Sequence, residues 1–149
     1  MEVINYYGEN YSGNYEKERV TVRAVIVQDG MILVSYNELK DQYILPGGEK
    51  KEHETDLDYI DHEIGTDLTI ESGDALVEIN EYYRDTKWVA RYYLAGSSTK
   101  EDLKGEWIKV EELIDILRKY DNYQESDPMK RGMYMRDYMA LTSLYSRVK

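Results

Sequence analysis

The chain has 149 residues, of which 42% are apolar and 33% charged, and its formal net charge is −11. This length and balance predict one folded domain with a hydrophobic core and exclude the low-hydrophobicity composition of a disordered chain. The absence of cysteine excludes disulfides, thiolate metal sites and a cysteine nucleophile. With His53 and His62 as the only histidines, a three-histidine metal site is also excluded.

The charge and the apolar pattern also limit partners and location. An acidic chain lacks the clustered Lys and Arg that bind duplex nucleic acid, so no such partner is predicted. No apolar run approaches membrane-spanning length, and residues 1–18 lack a basic-then-apolar signal segment. We therefore expect a cytoplasmic protein without a membrane partner.

The elements predicted along the chain alternate between strands and helices. Residues 1–18, rich in Tyr, Asn, Gly and Glu, predict a loose lead-in with a short strand near Val3 and Ile4. β-branched or aromatic runs bounded by turn residues predict strands at 19–27, 31–36, 43–45, 68–70, 75–83, 87–95 and 105–110. Helical spacing predicts helices at 55–64, 110–120 and 128–148. Without repeats or a linker, residues 1–149 predict a single mixed α/β domain.

Two of the helices carry more specific expectations. Leu57, Ile60 and Ile64 recur at helical spacing, so we expect them to form the buried stripe of the helix at 55–64. Gly65 is expected to end that helix with a left-handed cap. The last helix, 128–148, is crowded with Met and Tyr, which suit either packing on the sheet or a homodimer surface.

The stretch from Pro46 to Gly65 is the most informative for chemistry. Gly47 and Gly48 follow a predicted strand and allow the backbone to approach a ligand. A carboxylate-rich loop and helix come directly afterwards. Carboxylates and carbonyls are the ligands that Mg²⁺ prefers, so this region favours a divalent metal beside a diphosphate. The alternative is a solvated acidic helix.

Here the chain resembles the Nudix hydrolases. The resemblance rests on the strand hairpin, Leu45-Pro46-Gly47-Gly48, Glu54 after five further residues, the acidic helix, and a later segment from Glu106 to Leu113. It covers roughly residues 19–120. It implies an α/β/α sandwich around a mixed sheet. It also implies hydrolysis of a diphosphate linked to a nucleoside or similar group, with Mg²⁺ or Mn²⁺ as cofactor.

The family motif reads G-x5-E-x7-R-E-U-x-E-E-x-G-U, where U is aliphatic. Without gaps, His62 stands at the Arg, Glu63 at the first Glu and Asp67 within the Glu-Glu pair. If one helical turn is deleted, Glu63 falls on the Glu-Glu pair and Gly65 on the glycine that follows. Glu63 alone stands on a motif carboxylate in both registers.

The resemblance implies a role for each matching residue. Glu63 would act as the catalytic base or hold the metal, together with Asp67 and the Gly47 carbonyl. Glu54 and His62 would support the motif by pairing with each other. Arg23 and Gly48 would contact the substrate phosphates, although a strand arginine in an acidic chain also pairs with Asp or Glu.

Three functions follow from these residues. The first is metal-dependent hydrolysis of a nucleoside diphosphate derivative, a small phosphorylated substrate. The second is a catalytically inactive Nudix-fold binding protein, natural or engineered, which the departures in the second half of the motif favour. The third is a structural or interaction domain, suggested by the Tyr- and Met-rich ends.

Overall fold

The computed structural model describes residues 1–8, 11–37, 42–65, 68–71, 73–97, 103–119 and 134–148. The strands are β1 (Glu2–Tyr7), β2 (Lys17–Gln28), β3 (Met31–Asn37), β4 (Gln42–Ile44), β5 (Gly47–Glu49), β6 (Leu68–Ile70), β7 (Val77–Tyr83), β8 (Thr86–Ser97) and β9 (Glu106–Lys109). The helices are α1 (Asp56–Tyr59), which continues as a π-helical turn (Ile60–Ile64), α2 (Val110–Lys119) and α3 (Tyr134–Val148). None of the described helices is both long and apolar enough to cross a membrane.

The strands form one mixed sheet in the order β1-β7-β8-β2-β3-β4. β1 runs parallel to β7, and β2 runs parallel to β8, whereas the other pairs are antiparallel. Three short strands lie off this path: β5 pairs with β2, β6 with β8 and β9 with β3. The long β2–β8 pairing therefore forms the centre of the sheet, and β5 brings the Gly-Gly segment against it.

Helices cover both faces of the sheet. One face packs against α2 and α3 through buried side chains that include Tyr92, Leu113 and Leu141. The opposite face packs against α1 and its π-helical turn through Val22, Tyr59 and Ile60, among others. This arrangement confirms the predicted α/β/α sandwich around a mixed sheet.

Several local expectations differ from the structure. The lead-in contains a full strand, β1, because its alternate residues hydrogen-bond to β7. Residues 47–49, expected as turn and loop, form β5 against β2. The last helix, expected at 128–148, is described as α3 from Tyr134 onwards, and residues 128–133 lie outside the described part of the chain.

The expectation that Leu57 lies on the buried stripe is wrong. Leu57 is 47% exposed, whereas Tyr59 and Ile60 are 7% and 2% exposed. The buried face of α1 instead begins at Asp56, whose carboxylate is bound by groups on the sheet. Residues three and four positions later share that face, so Tyr59 and Ile60 turn inward and Leu57 turns to solvent.

Candidate functional site

A cleft of about 510 Å³ opens between the Pro46–Gly47 turn and the helix that carries Glu63. Two β3 residues and Lys104 also line it. The lining residues are Leu33, Ser35, Pro46, Gly47, Tyr59, Asp61, His62, Glu63, Ile64, Gly65 and Lys104. The cleft thus joins both parts of the sequence that carry the predicted chemistry.

The backbone requires glycine at position 47, and at position 48 an added Cβ would displace the Tyr59 hydroxyl. Gly47 has φ +135°, a conformation that L side chains rarely adopt, and a Cβ there would overlap the carbonyl oxygen of Val22. A Cβ on Gly48 would lie 2.9 Å from the hydroxyl oxygen of Tyr59. The backbone therefore packs directly against β2 and the helix, with no side chain between them.

The start of α1 is anchored to the sheet by a carboxylate. The Thr55 side chain caps the helix by accepting from the amide of Asp58 at 3.1 Å. Asp56 accepts from the Tyr93 hydroxyl at 2.6 Å and from Arg91 at 3.3 Å, and Lys50 Nζ lies 3.6 Å from it. Burial, and then the bond to Asp56, raise the pKa of the Tyr93 phenol.

The loop before the helix is tied to it by Glu54 and His62. Glu54 Oε1 accepts from the amide of Lys51 at 2.9 Å, and its Oε2 lies 2.5 Å from His62 Nε2. The bond from Lys51, followed by that from His62, lowers the pKa of Glu54. The bond to Glu54 is also the main reason that the pKa of His62 is raised, so the pair is favoured with His62 protonated.

Glu63 lies at the open side of the cleft. Its side chain is 56% exposed, and its Oε1 lies 3.2 Å from His62 Nδ1. Asp61 and the Gly47 backbone line the same cleft. Across the described ranges, no group of three or more His, Asp or Glu residues is arranged to hold a metal ion. Carboxylate and carbonyl oxygens are donors of the kind that Mg²⁺ binds, commonly as one or two carboxylates together with phosphate oxygens.

Comparisons with known proteins show what this architecture is similar to. No protein-family model matches the sequence, and no curated protein matches it significantly. Among solved structures, a MutT protein from Methanosarcina mazei Go1 superposes with a TM-score of 0.57 at 19% identity, covering 88% of this chain and 96% of that one. A NUDIX hydrolase from Nitrosomonas europaea gives a TM-score of 0.51 at 16% identity, covering 83% and 90%. This chain has the Nudix fold.

A third structure of the same kind, a UDP-X diphosphatase, superposes with a TM-score of 0.55 at 15% identity and covers 91% of this chain and 66% of that one. At such low identities the likeness establishes the Nudix fold and leaves the chemistry to the residues of the cleft.

The helix end bears on the register of the Nudix motif. The helix stops at Ile64 and Gly65 follows it, as in the register that lacks one turn. Gly65 nevertheless has φ 177°, so the expected left-handed cap is wrong. The absence of a side chain at Gly65 instead allows Leu103 to pack closely, because a Cβ there would lie 2.9 Å from a methyl carbon of Leu103. Asp67, a predicted metal ligand, lies outside the described residues.

Arg23 is placed away from the cleft opening. It is 3% exposed, its Nη1 donates to the carbonyl of Leu45 at 2.7 Å, and its Nε lies 3.8 Å from Asp137. The structure thus shows the acidic pairing that the sequence left open as the alternative to phosphate contact. The predicted site residues brought together in and beside the cleft are Gly47, Gly48, Glu54, His62 and Glu63.

Sequence reasoning missed Tyr59 as a residue of the site. In the shortened register Tyr59 stands where the Nudix motif has its first Glu, and in the structure it is buried against Gly48. Burial, its largest cause, raises the pKa of the Tyr59 phenol. An aromatic residue inside an otherwise acidic helix was the available signal. The helix therefore presents Glu63 where the full motif would present several glutamates.

Proposed function

We propose that this Nudix-fold chain binds a nucleoside diphosphate derivative, as its Mg²⁺ or Mn²⁺ complex, in the cleft at Gly47 and Glu63 and hydrolyses the diphosphate bond there. The observation that carries the proposal is that the exposed Glu63 carboxylate and the glycine-only backbone at Gly47 face one cleft of about 510 Å³. The solved structures named hydrolase and diphosphatase, which share this fold, support the same reaction class.

Each group of the cleft has a chemical task in this reaction. The Gly47–Gly48 backbone approaches the phosphates without side-chain obstruction. Lys104 contributes positive charge to the lining. Glu63 accepts a proton from the attacking water, and His62 orients its carboxylate from Nδ1. The divalent metal, when bound with the substrate, would neutralise phosphate charge and make water more acidic.

A second candidate function is nucleotide binding without hydrolysis. It is favoured by the lack of a three-member acidic or histidine cluster in the ranges that the structure describes. If the cation arrives bound to the ligand, fewer protein groups need to contact the cation for binding than for hydrolysis. The cytoplasmic location and a homodimer formed through the Tyr- and Met-rich ends remain proposals from the sequence.

The deciding experiment measures the formation of nucleoside monophosphate from a panel of nucleoside diphosphate derivatives with Mg²⁺ or Mn²⁺. Glu63→Gln preserves size and removes the base, so we expect at least about a 100-fold loss of kcat. Glu112→Gln is the matched control, because Glu112 is an exposed carboxylate on α2, outside the cleft. Equal non-zero rates for wild type and Glu63→Gln would contradict the role of Glu63 as the base. Ligand-induced thermal stabilisation of the wild type without formation of nucleoside monophosphate would establish the binding protein instead.

A further inference from the structure

A buried polar cluster connects the last helix to the strand that leads into the Gly-Gly turn. Asp137, in the first turn of α3, is fully buried. One of its carboxylate oxygens accepts from the amide of Leu45 at 3.0 Å, and the other accepts from the Tyr92 hydroxyl at 2.6 Å. Arg23 Nε lies 3.8 Å from the same carboxylate.

Both backbone polar groups of Leu45 are held by this cluster. Its amide donates to Asp137, and its carbonyl accepts from Arg23 Nη1 at 2.7 Å. Leu45 is itself fully buried, just beyond the end of β4. Since four interactions meet around one peptide segment, that segment has a single well-defined position relative to α3 and β2.

The site begins two residues later. The Pro46 carbonyl accepts from the Ala24 amide at 3.0 Å, and Gly47 pairs with Arg23 in the sheet. Few rotatable bonds therefore separate the clamped Leu45 from the Gly47 backbone in the cleft. Because Pro46 alone separates Leu45 from Gly47, we expect a shift of Leu45 to reach the Gly47 backbone.

We propose that Asp137 is a positioning residue for the cleft, and that through Leu45 the last helix fixes where the Gly47 backbone meets the phosphates. This inference rests on the proposed function. Stability alone does not require this arrangement, since buried charged groups are often replaceable by apolar ones at no loss of stability. A carboxylate, unlike an apolar side chain, accepts a hydrogen bond at each of its two oxygens and so fixes the direction of both donors.

The experiment compares two variants of the same cluster by NMR of the whole chain without ligand. Asp137→Asn keeps the side-chain size but offers one acceptor oxygen where two donors converge. Tyr92→Phe is the matched control, because it removes a hydrogen bond to Asp137 and leaves the Leu45 amide bond intact. We expect Asp137→Asn to shift the amide signals of Gly47 and Gly48 and to speed exchange of the Leu45 amide by at least about tenfold. Tyr92→Phe is expected to lower Tm without shifting the Gly47 and Gly48 signals and without speeding exchange of the Leu45 amide.

The proposal is overturned if Asp137→Asn leaves the Gly47 and Gly48 signals and the Leu45 exchange rate as they are in Tyr92→Phe. If Asp137→Asn does not fold, Arg23→Gln, which removes the partner of the Leu45 carbonyl, is judged on the same Gly47 and Gly48 signals. Steady-state kinetics form a separate arm, in which a positioning role predicts a fall in kcat with KM changed less. A wild type without turnover refutes the hydrolase, while the NMR comparison still decides the role of Asp137.

Discussion

The amide of Gly65 donates to the carbonyl of Ile60, five residues earlier, at 3.0 Å. This bond closes the π-helical turn that follows α1 and brings Glu63 to the cleft. π-helical turns place one more residue in a turn than an α-helix does and occur frequently at functional sites. In this chain the turn lies in the segment where the two possible registers of the Nudix motif differ.

The buried face of this helix can be checked by two alanine substitutions. Ile60 is 2% exposed and Leu57 is 47% exposed. We expect Ile60→Ala to lower the free energy of unfolding by about 2–4 kcal/mol, because it leaves a cavity among Val22, Tyr59 and Tyr93. Leu57→Ala is expected to cost less than about 1 kcal/mol. Urea unfolding of both variants measures the difference, and a larger loss for Leu57→Ala would show that the sequence pattern, and not this packing, is correct.

The turn at Gly47 predicts a strong dependence on glycine. Gly47→Ala places a methyl group against the Val22 carbonyl at φ +135°. Gly73→Ala is the matched control, since Gly73 has φ +75° with open space around its Cβ position. We expect the control to cost about 1–2 kcal/mol from backbone conformation alone and Gly47→Ala to cost clearly more. Thermal unfolding of the two proteins should show the larger drop in Tm for Gly47→Ala, and equal drops would argue against the close approach to β2.

The ion pair between Glu78 and Arg91 predicts a pH-dependent stability. Burial raises the pKa of Glu78, but the hydrogen bonds from Arg91 at 2.9 Å and Asn80 at 3.1 Å outweigh it and hold the pKa below its usual value. A carboxyl whose pKa is lower in the folded state stabilises the fold above its unfolded pKa of about 4.3. That contribution is lost as the pH falls through the folded pKa.

Glu78→Gln should therefore destabilise the protein by about 1 kcal/mol at pH 7, with the penalty shrinking as the pH falls below roughly 4. Urea unfolding at several pH values measures this, with Glu112→Gln as the exposed control. A penalty that stays constant down to pH 3 would mean that the charge of Glu78 contributes nothing to stability.

Ligand binding offers a test that does not depend on turnover. A non-hydrolysable nucleoside diphosphate analogue with Mg²⁺ should raise Tm, because a ligand at 100 times its Kd stabilises the folded state by about 2.7 kcal/mol. If Glu63 faces the metal and phosphates, Glu63→Gln should weaken the Mg²⁺-dependent part of the shift. An equal shift in both proteins with and without Mg²⁺ would place the ligand away from Glu63.

The elements that the sequence predicted well are those that are determined by residues close together in the chain. β-branched runs on both sides of Asp29-Gly30 gave β2 and β3, because this turn and these side chains favour a hairpin in isolation. The helix after Thr55 was predicted with its observed ends, since its cap and Gly65 lie within the same segment. The buried face of that helix was not predicted, because Asp56 is held by Arg91 and Tyr93, which lie more than thirty residues away.

The sequence by itself determined the α/β class, the Gly-Gly turn before an acidic helix, and Glu63 as the carboxylate common to both motif registers. These depend on residue type and spacing along the chain. Only the tertiary structure decided that Arg23 is buried against Asp137, that Tyr59 packs on Gly48 and that Leu45 is clamped from α3. Such contacts join residues up to 114 positions apart, as Arg23 and Asp137 are, and they arise from packing across the sheet that no local pattern encodes.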